Sequence, residues 1–368
     1  MASKINTGFT VIPSQKYRRS NRRSSDFSNT LDSEAQPLST LGSFKALPLE
    51  VFQIILKYLS GLLFKRCTLL LPTKERLKYI HKILTETLTA GWDDLECHRV
   101  YNFLCELTNL SRKMQAVVCN KPGSSRKLEL RIRLFCRNVL LDHWSQRSDS
   151  AFWLTRILKP WPMVNQARLL YIIFGPISPQ DGQVFWQKMI EGPTDESSLK
   201  GLAEAIKLLY DTGTKEWTAD DVISLVDELS VVPREWLLEN NARLLILSGN
   251  SICFTFMASK AVNGRATELA RLVVFLALVC EKELYCMDWA VKMMQKVCKV
   301  FNTPIERNNF LQSVANAFAC VIMEMLQSIM SGDRDEDDRS FLNLFHLVHA
   351  QANFHKEVLY LTMGSVSS

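Results

Sequence analysis

The sequence contains few glycines and prolines, the residues that most often interrupt helices and strands. Only 14 glycines and 12 prolines occur among its 368 residues. A β-sandwich or barrel needs a turn about every ten residues, and so few turn residues do not supply them. This scarcity argues against an all-β architecture and favours long helices joined by short connections.

No long hydrophobic run is present either. The longest unbroken apolar stretch, Leu272 to Cys280, has nine residues, whereas a membrane span needs about 18. The first 30 residues are polar and basic rather than an apolar signal segment. We therefore expect a soluble, intracellular protein without a membrane partner, located in the nucleus, the cytoplasm or both.

Motifs that indicate catalysis are also missing. The sequence has no phosphate-binding G-x-x-x-x-G-K-[ST] loop, no dinucleotide-binding G-x-G-x-x-G, no zinc-binding H-E-x-x-H and no G-x-S-x-G around an activated serine. We predict that the protein is not an enzyme, with no catalytic residues and no cofactor.

Neither sign of charge dominates the composition. Lys and Arg number 44 and Asp and Glu 38, so the formal net charge is only +6. This balance excludes a disordered polyelectrolyte and a strongly basic, histone-like protein. Because 47% of the residues are hydrophobic, most of the chain should fold, as about two domains or one elongated array.

The ten cysteines form no ligand or disulfide motif. They lie at positions 67, 97, 105, 119, 136, 253, 280, 286, 298 and 320, with no C-x-x-C pair among them. Most fall inside apolar helical patterns, as in Asn102-Phe103-Leu104-Cys105. We interpret them as reduced thiols that fill the core rather than as zinc ligands.

Two other segments contain metal-ligand residue types. Near the C-terminus, His346 and His349 lie three residues apart on one helical face, with His355 beyond them. No cysteine or carboxylate accompanies them at ligand spacing, so we expect a partly exposed helix face. The acidic run 333–338 resembles the start of a calcium loop, but Asp338 replaces the turn glycine and Leu344 the bidentate acid. We predict a solvated loop and no metal site.

Residues 1–45 have the composition of a disordered basic tail. They are rich in Ser, Thr, Asn and Arg, and contain seven Lys or Arg against three acids. Four arginines next to serines form a compact cluster: Arg18, Arg19, Arg22 and Arg23. The cluster is either a nuclear localisation signal or kinase site, or simply part of a solvated tail.

A second basic segment runs from Arg112 to Arg137. It contains eight Lys or Arg and a single acid, Glu129. Such a face can contact phosphates, but no stacking aromatics or nucleic-acid motif accompany it. We therefore favour a solvated or partner-facing helix over nucleic-acid binding for this segment.

Helical patterns follow one another from about Thr73 onward. Apolar residues recur at i, i+3, i+4 and i+7 in two clear cases: Leu199, Leu202, Ala203 and Ile206, then Val222, Leu225, Val226 and Leu229. Helix starts are predicted by a capping box at Thr218 and Asp221, and by Thr303-Pro304-Ile305-Glu306. Breaks at 160–162, 175–179 and 249–250 are short, so successive helices should be antiparallel neighbours.

These patterns predict an all-α fold built as an array of antiparallel helix pairs. More than ten short-linked amphipathic helices are too many for one bundle and suit an irregular α-solenoid, although no fixed sequence period emerges. Solenoids usually bind other macromolecules. The eight tryptophans are either binding anchors or, as is more common, core fillers.

The segment Leu47 to Leu59 predicts a helix that is apolar on most sides. Pro48 suits its first turn, and its interior polar residues Glu50, Gln53 and Lys57 form one narrow stripe. A 13-residue helix of this kind is not stable alone in water. It must pack both on its own domain and on something else.

The spaced pattern Leu47-Pro48-x-Glu50-Val51-x-x-x-Ile55-Leu56-x-Tyr58-Leu59-Ser60 resembles the first helix of the F-box family. The resemblance implies a non-catalytic substrate-recognition subunit of a cullin-RING ubiquitin ligase. Its F-box docks on the Skp-family adaptor, which joins it to the cullin, and the rest of the chain captures a protein substrate. The adaptor-binding residues it implies are Leu47, Pro48, Glu50, Val51, Ile54, Ile55, Tyr58 and Leu59.

The chain departs from the F-box pattern after Ser60. The family continues with an acidic-leucine turn and two further helices, whereas here Gly61-Leu62-Leu63-Phe64-Lys65 follows directly. A second discontinuity is suspected near Glu86 and Thr87. We therefore divide the chain into a tail (1–45), a partial F-box (46–60) and a helical partner-binding region (61–368). The alternative function is a helical scaffold that has lost ligase recruitment.

Overall fold

In the computed structural model, the described residues are 108–142, 147–211, 216–331 and 337–364, together with isolated helical positions between 75 and 105. Throughout these ranges the regular structure is helical and no strand occurs; the nearest feature is an isolated antiparallel bridge between Ile177 and Val184. The predicted all-α fold class is confirmed.

Thirteen α-helices lie within the described ranges, and a π-helical turn, Cys136–Leu141, directly follows the second of them. Their bounds are α1 Leu110–Cys119, α2 Arg126–Phe135, α3 Arg147–Leu158, α4 Met163–Phe174, α5 Lys188–Glu191, α6 Glu196–Asp211, α7 Ala219–Leu229, α8 Leu238–Ser248, α9 Asn250–Val262, α10 Ala266–Lys282, α11 Met287–Cys298, α12 Pro304–Ser331 and α13 Asp337–Gly364.

The helices begin where the capping patterns predict. At the start of α7, the backbone N–H of Asp221 donates to Oγ1 of Thr218 (3.1 Å), and the N–H of Thr218 donates to a carboxylate oxygen of Asp221 (3.0 Å). Thr303 and Glu306 exchange the same pair of bonds at the start of α12. Each capping box satisfies two backbone N–H groups that the first helical turn otherwise leaves unpaired.

The helices stack in two rows. One row runs through α3, α6, α8, α10 and α12, and the other through α4, α7, α9, α11 and α13, with each helix packing on the next member of its row. All eight apolar residues of the two predicted stripes, in α6 and α7, are buried between the rows. The predicted solenoid-like array is confirmed in this arrangement.

The helix α10 lies at the centre of the second half of the array. It packs against α8, α9, α11, α12 and α13, and the whole apolar run from Leu272 to Cys280 is buried except for part of Phe275. The longest apolar run of the sequence is therefore the core of the array. Its surface is covered by other helices of the same chain.

The helix α12 passes the test for a membrane span by length and composition. Its 28 residues contain an 18-residue window of mean hydropathy 1.4, of which 22% is buried. A search for unbroken apolar runs misses it because Asn, Gln and Ser interrupt the sequence. In the array, Phe310, Val314 and Phe318 are buried, and α12 packs along α10. Counting unbroken apolar residues therefore did not reveal α12 as a helix with the length and composition of a membrane span.

A buried glutamate joins the first helices to the α4–α5 connection. Glu129 of α2 is 1% exposed, and its two carboxylate oxygens accept from the backbone N–H of Gly123 and from Nε1 of Trp186, both at 2.9 Å. Gly123 has φ of 78°, and a Cβ there would lie 3.2 Å from Cδ1 of Trp186. The positive φ and the close approach of the Trp186 ring to the backbone therefore favour glycine at position 123.

Trp186 is in turn held by the face of Tyr171. The two rings stack with centroids 4.7 Å apart, and the Tyr171 hydroxyl donates to the carbonyl oxygen of Phe185 (2.8 Å). Trp236 packs its ring edgewise on Tyr171, with centroids 5.8 Å apart. Residues from α4, the α4–α5 connection and the α7–α8 connection therefore meet around one tyrosine.

We predict that Glu129→Ala destabilises the protein by about 2–4 kcal/mol, because the buried Trp186 indole and the partly buried Gly123 N–H both lose a charged acceptor. Thermal or urea unfolding measures the change. Exposed Glu191→Ala is the matched control and should have little effect. In a double-mutant cycle with Trp186→Phe the losses should be less than additive; full additivity would show that Glu129 does not act through Trp186.

Candidate partner-binding groove

A groove opens where four helices of the two rows meet. It has a volume of about 270 Å³ and lies between the C-terminal ends of α7 and α9 and the N-terminal halves of α8 and α10. The lining residues are Asp227, Glu228, Ser230, Val231, Glu235, Leu238, Asn241, Phe256, Lys260, Arg265, Glu268, Arg271 and Leu272.

The α7–α8 connection forms one wall of the groove and is fixed by backbone bonds. The N–H of Trp236 donates to the carbonyl of Ser230, and its indole Nε1 donates to that of Val232, both at 2.8 Å. The N–H of Leu237 donates to the carbonyl of Met189 (3.0 Å). A connection tied down at three points holds Glu235 and Leu238 in defined positions.

Buried polar side chains fix α8 from behind the groove. Asn240 is fully buried and donates to the carbonyls of Met189 and Gly192 at 3.0 Å each, while its Oδ1 accepts from the N–H of Thr194. Arg243, also buried, bonds Glu239 within α8 and Glu283 beyond the end of α10. These bonds lock the axial position of α8 against its neighbours.

Ion pairs neutralise most of the charges that line the groove. Asp227 of α7 pairs with Lys260 at 2.8 Å and with Arg265 at 3.1 Å. Arg265 also pairs with Glu268. Arg271 makes a two-pronged bond to Glu324 of α12, with distances of 2.8 and 2.9 Å. The cationic side chains are therefore all used by acids of the array.

Two acids of the groove stay outside these ion pairs. Among the described residues no ion pair forms to Glu228 or Glu235, although both line the groove. The Oδ1 atom of Asn241 also has no hydrogen-bond partner, but it is shielded from solvent. The accessible polar groups without an opposite charge in the groove are therefore the two carboxylates.

The floor of the groove is apolar, with Phe256 and Leu272 buried and Leu238 partly buried. The volume is below the usual range of small-molecule pockets and matches one or two side chains of another protein. Excess acid above an apolar floor suits a segment with a basic residue next to an apolar one. No nucleophile and base are paired among the lining residues, so the arrangement supports binding.

The site residues predicted from the sequence lie outside the described residues. This applies to the adaptor-binding set Leu47, Pro48, Glu50, Val51, Ile54, Ile55, Tyr58 and Leu59, and to the arginine cluster Arg18, Arg19, Arg22 and Arg23. It applies also to residues 333–336 of the acidic run and to the suspected discontinuity near 86–87. Those assignments stay predictions. The last two residues of the acidic run, Asp337 and Asp338, begin α13 and do not form the predicted loop.

The basic segment 112–137 divides into structural and exposed residues. Arg133 donates to the carbonyls of Ile172 and Gly175 at 2.9 Å each, and burial lowers its pKa to about 10. Arg137 pairs with Asp142 and lies over the Phe174 ring. The exposed members are Arg112, Lys121, Arg126, Lys127 and Arg131. The eight basic residues therefore do not form one continuous phosphate-binding face.

The expectation that the cysteines fill the core is correct for only part of the set. All eight described cysteines are free thiols, but Cys119, Cys286 and Cys320 are exposed and Cys298 is partly buried. Burial raises the pKa of the Cys253 and Cys280 thiols to about 12 each, which keeps these two protonated and unreactive. The other two, Cys67 and Cys97, lie outside the described residues.

The pair His346 and His349 lies on a partly exposed part of α13, as predicted. His349 and His355 of α13 are exposed and His346 is partly buried. His349 packs on Phe345 with ring centroids 4.2 Å apart. No group of three His, Cys, Asp or Glu with metal-site geometry occurs among the described residues.

The tryptophans that the structure describes are mostly core residues. Trp153, Trp186, Trp217 and Trp236 are buried, whereas Trp161 and Trp289 are partly buried. The indole N–H groups of Trp186, Trp217, Trp236 and Trp289 each donate to a protein oxygen. The core-filler interpretation is therefore confirmed for four of these six.

Sequence reasoning did not find the groove. Its residues come from four helices and two connections between Asp227 and Leu272, and each has the ordinary spacing of a surface, capping or core position within its own segment. The only local signal was the concentration of charged residues near the ends of α7 and α9. That signal does not reveal which charges pair and which stay free.

Comparison with known proteins places the array in a class of repeat folds. A family model described as "FBXO47, ARM repeats" matches residues 106–348, which contain the groove and most of both rows of helices. No solved structure matches the chain. The described helices are thus an armadillo-type array, which explains an irregular solenoid without an obvious sequence period.

The chain also aligns over nearly its full length with two curated relatives. It is 71% identical to human F-box only protein 47, over 99% of both chains, and 70% identical to mouse F-box only protein 47, over 100% of both chains. The chain belongs to the F-box only protein 47 family. The family resemblance predicted from the Leu47 to Leu59 pattern is confirmed.

The alignment with the human relative is longer than the chain. It covers 448 positions, and the chain has 368 residues, so at least 80 positions (448 − 368) have no counterpart here. The predicted interruptions after Ser60 and near Glu86 and Thr87 agree in kind with such gaps. Their exact location stays a prediction.

We predict that Asp227→Asn destabilises the protein by about 0.5–1 kcal/mol at pH 7, a small value because the carboxylate is 43% exposed and screened by solvent. Burial by itself raises the pKa of Asp227, but hydrogen bonds and charge from Lys260 and Arg265 hold it below its usual value. Unfolding measurements with Glu228→Gln as the control test this expectation.

The pH dependence of that difference follows from the lowered pKa. A carboxyl whose pKa is lowered by folding contributes stability above its unfolded pKa of about 4 and loses it as the pH falls through the folded value. The difference between the wild type and Asp227→Asn should therefore be constant above about pH 5 and shrink below pH 4. A difference that grows in acid would contradict the ion-pair assignment.

Proposed function

We propose that the protein is a substrate-recognition subunit of an SCF-type ubiquitin ligase, built from a Skp-family adaptor, a cullin and a RING protein. The observation that supports this most directly is the full-length alignment with two relatives named F-box only protein 47. The protein contributes positioning, without bond chemistry of its own, and acts in the nucleus, the cytoplasm or both.

In this proposal the segment Leu47 to Leu59 contacts the adaptor. Its sequence is apolar on most of its sides, and a helix of this kind gains stability only when a partner covers it. An apolar adaptor surface in contact with Ile54 and Ile55 would cover this helix and stabilise it. The cullin is then reached through the adaptor.

The armadillo-type array contacts the substrate, and the groove between α7, α8, α9 and α10 is the proposed docking point. Glu228 and Glu235 would pair with a basic residue of the substrate. Phe256 and Leu238 would contact an apolar residue next to it. A substrate segment with a Lys or Arg beside an apolar side chain satisfies both.

A second function is favoured by one observation. At least 80 aligned positions of the human relative have no counterpart in this chain. If these positions include the remainder of the F-box, the adaptor surface is incomplete, and a small apolar contact does not support stable docking. The protein would then be a helical scaffold that binds the same partners without recruiting the ligase.

Affinity purification with quantitative mass spectrometry separates the two functions, because it reports adaptor, cullin and substrate in one measurement. If the protein is a ligase subunit, the purification should recover adaptor and cullin together with candidate substrates. If it is a scaffold, the purification should recover the candidate substrates alone. Recovery of neither group would contradict both proposals.

We predict that Glu228→Lys with Glu235→Lys removes substrates while leaving the adaptor bound, because the groove then repels a basic residue. Both side chains are at least partly exposed, so the melting temperature should stay within about 2 °C of the wild type. The matched control is Glu204→Lys together with Glu191→Lys, two exposed acids outside the groove. Unchanged substrate recovery would contradict the groove assignment.

We predict the reverse pattern for Ile54→Asp with Ile55→Asp. Two carboxylates would enter a face that must lose water on docking, at a cost of several kcal/mol, so adaptor recovery should vanish while substrates remain. Circular dichroism and the melting temperature must be followed, since the same isoleucines can also pack within the chain.

Restoring a complete F-box after Ser60 provides the positive control. It should strengthen adaptor binding at least tenfold, equivalent to about 1.4 kcal/mol, because it returns the missing helices to core and interface. If the chain as it stands already binds the adaptor as tightly as the restored protein, the argument from the incomplete F-box is wrong.

A further inference from the structure

The helix α13 is apolar on two opposite faces. Leu347, Ala350 and Phe354 are buried, and α13 packs against α10, α11 and α12. On the other side, Phe341, Phe345 and Leu359 keep 53, 57 and 60% of their surface exposed. A surface helix normally carries polar residues there, and an outermost solenoid helix needs a polar outer face for solubility.

The exposed face has the spacing of a helix–helix contact. Its members recur at intervals of four and three residues, the pattern of a coiled-coil seam: Phe341, Phe345, Val348, Ala352, His355 and Leu359. We call this set the outer stripe. No charged residue belongs to it, and each of its members is exposed, although His355 near its C-terminal end also contacts the Phe318 ring of α12.

We propose that the outer stripe of α13 is a homodimer interface, in which a second copy of the chain presents the same stripe in the antiparallel direction. A symmetric pair uses one surface twice, as most soluble homo-oligomers do.

The exposed apolar area of α13 is large enough for contact with a second copy of the chain. Phe341, Phe345, Val348 and Leu359, with Leu342 and Tyr360 at its edges, are each about half exposed. Since large side chains offer about 150–250 Å² each, this face amounts to roughly 600 Å². An apolar patch of this size is at the upper end for a monomer. Two such faces bury about 1,200 Å², the lower limit for a stable interface.

The order of large and small residues favours the antiparallel direction. Reversal of the stripe places Phe341 opposite Leu359, Phe345 opposite His355 and Val348 opposite Ala352. The pairs are then bulky at both ends and small in the middle. Two helices that cross at an angle approach most closely at the midpoint, so small residues belong there. A parallel pair would also be smallest near Ala352, but its Phe345–Phe345 end would be bulkier than its His355–His355 end, whereas reversal makes the two ends equal.

The test uses the full chain, followed by sedimentation velocity and light scattering over a hundredfold range of concentration. A dimer whose dissociation constant rises at least tenfold in Phe345→Glu supports the proposal. The matched control is Val262→Glu, which changes an exposed apolar residue of α9 and should leave the dimer intact. Because Phe345 is exposed, both variants should keep the wild-type melting temperature at low concentration.

Cysteine cross-linking tests the direction. A mixture of differently tagged Phe341→Cys and Leu359→Cys chains should give a mixed disulfide, whereas Phe341→Cys alone should not exceed the wild type. The wild-type chain is the necessary background, because Cys119, Cys286 and Cys320 are exposed. Cross-linking of Phe341→Cys to itself would show a parallel pair and overturn the antiparallel proposal.

Several outcomes would overturn the dimer itself. These are a monomer at every concentration, a dimer that Phe345→Glu leaves unchanged, or a dimer that Val262→Glu weakens equally. A monomer in which Phe345→Glu lowers the melting temperature would show that another segment of the same chain covers the stripe. A monomer with unchanged stability that loses a co-purifying protein in Phe345→Glu would assign the stripe to a different partner.

Discussion

The array depends on the burial of α10, a helix that is apolar on nearly every side. Water cannot solvate the run Leu272 to Cys280 at low cost, so five other helices pack around it. Their positions follow from this requirement. The N-terminal half of α10 forms one wall of the groove, and α13 reaches α10 with one apolar face while its outer stripe stays exposed.

Apolar burial is not directional, and buried polar groups supply the alignment that it lacks. Glu129 connects Gly123 to Trp186, Asn240 bonds the Met189 to Thr194 connection, and Arg243 joins α8 to Glu283. Each group would be costly if it were left unpaired. Helices that slid by one turn would lose these bonds, so the array favours one axial alignment of its helices over the alternatives.

Predictions that depend on one helix at a time were correct. The capping boxes at Thr218 and Thr303 form, and the stripes of α6 and α7 are buried. Predictions about exposure were less successful, because exposure depends on neighbours that are distant in sequence. Arg133 has the spacing of a basic surface but caps α4, and Cys320 lies in an apolar pattern but is exposed.

The sequence by itself determined the all-α class, the helix starts and the family, since these depend on spacing and cap residues within one segment. Only the tertiary structure decided which charges stay free. Asp227 is neutralised by Lys260 and Arg265, whereas Glu228, its neighbour in the chain, forms no ion pair with the described residues. The physical reason is that pairing and burial are set by distances between helices, and periodicity along one helix does not contain those distances.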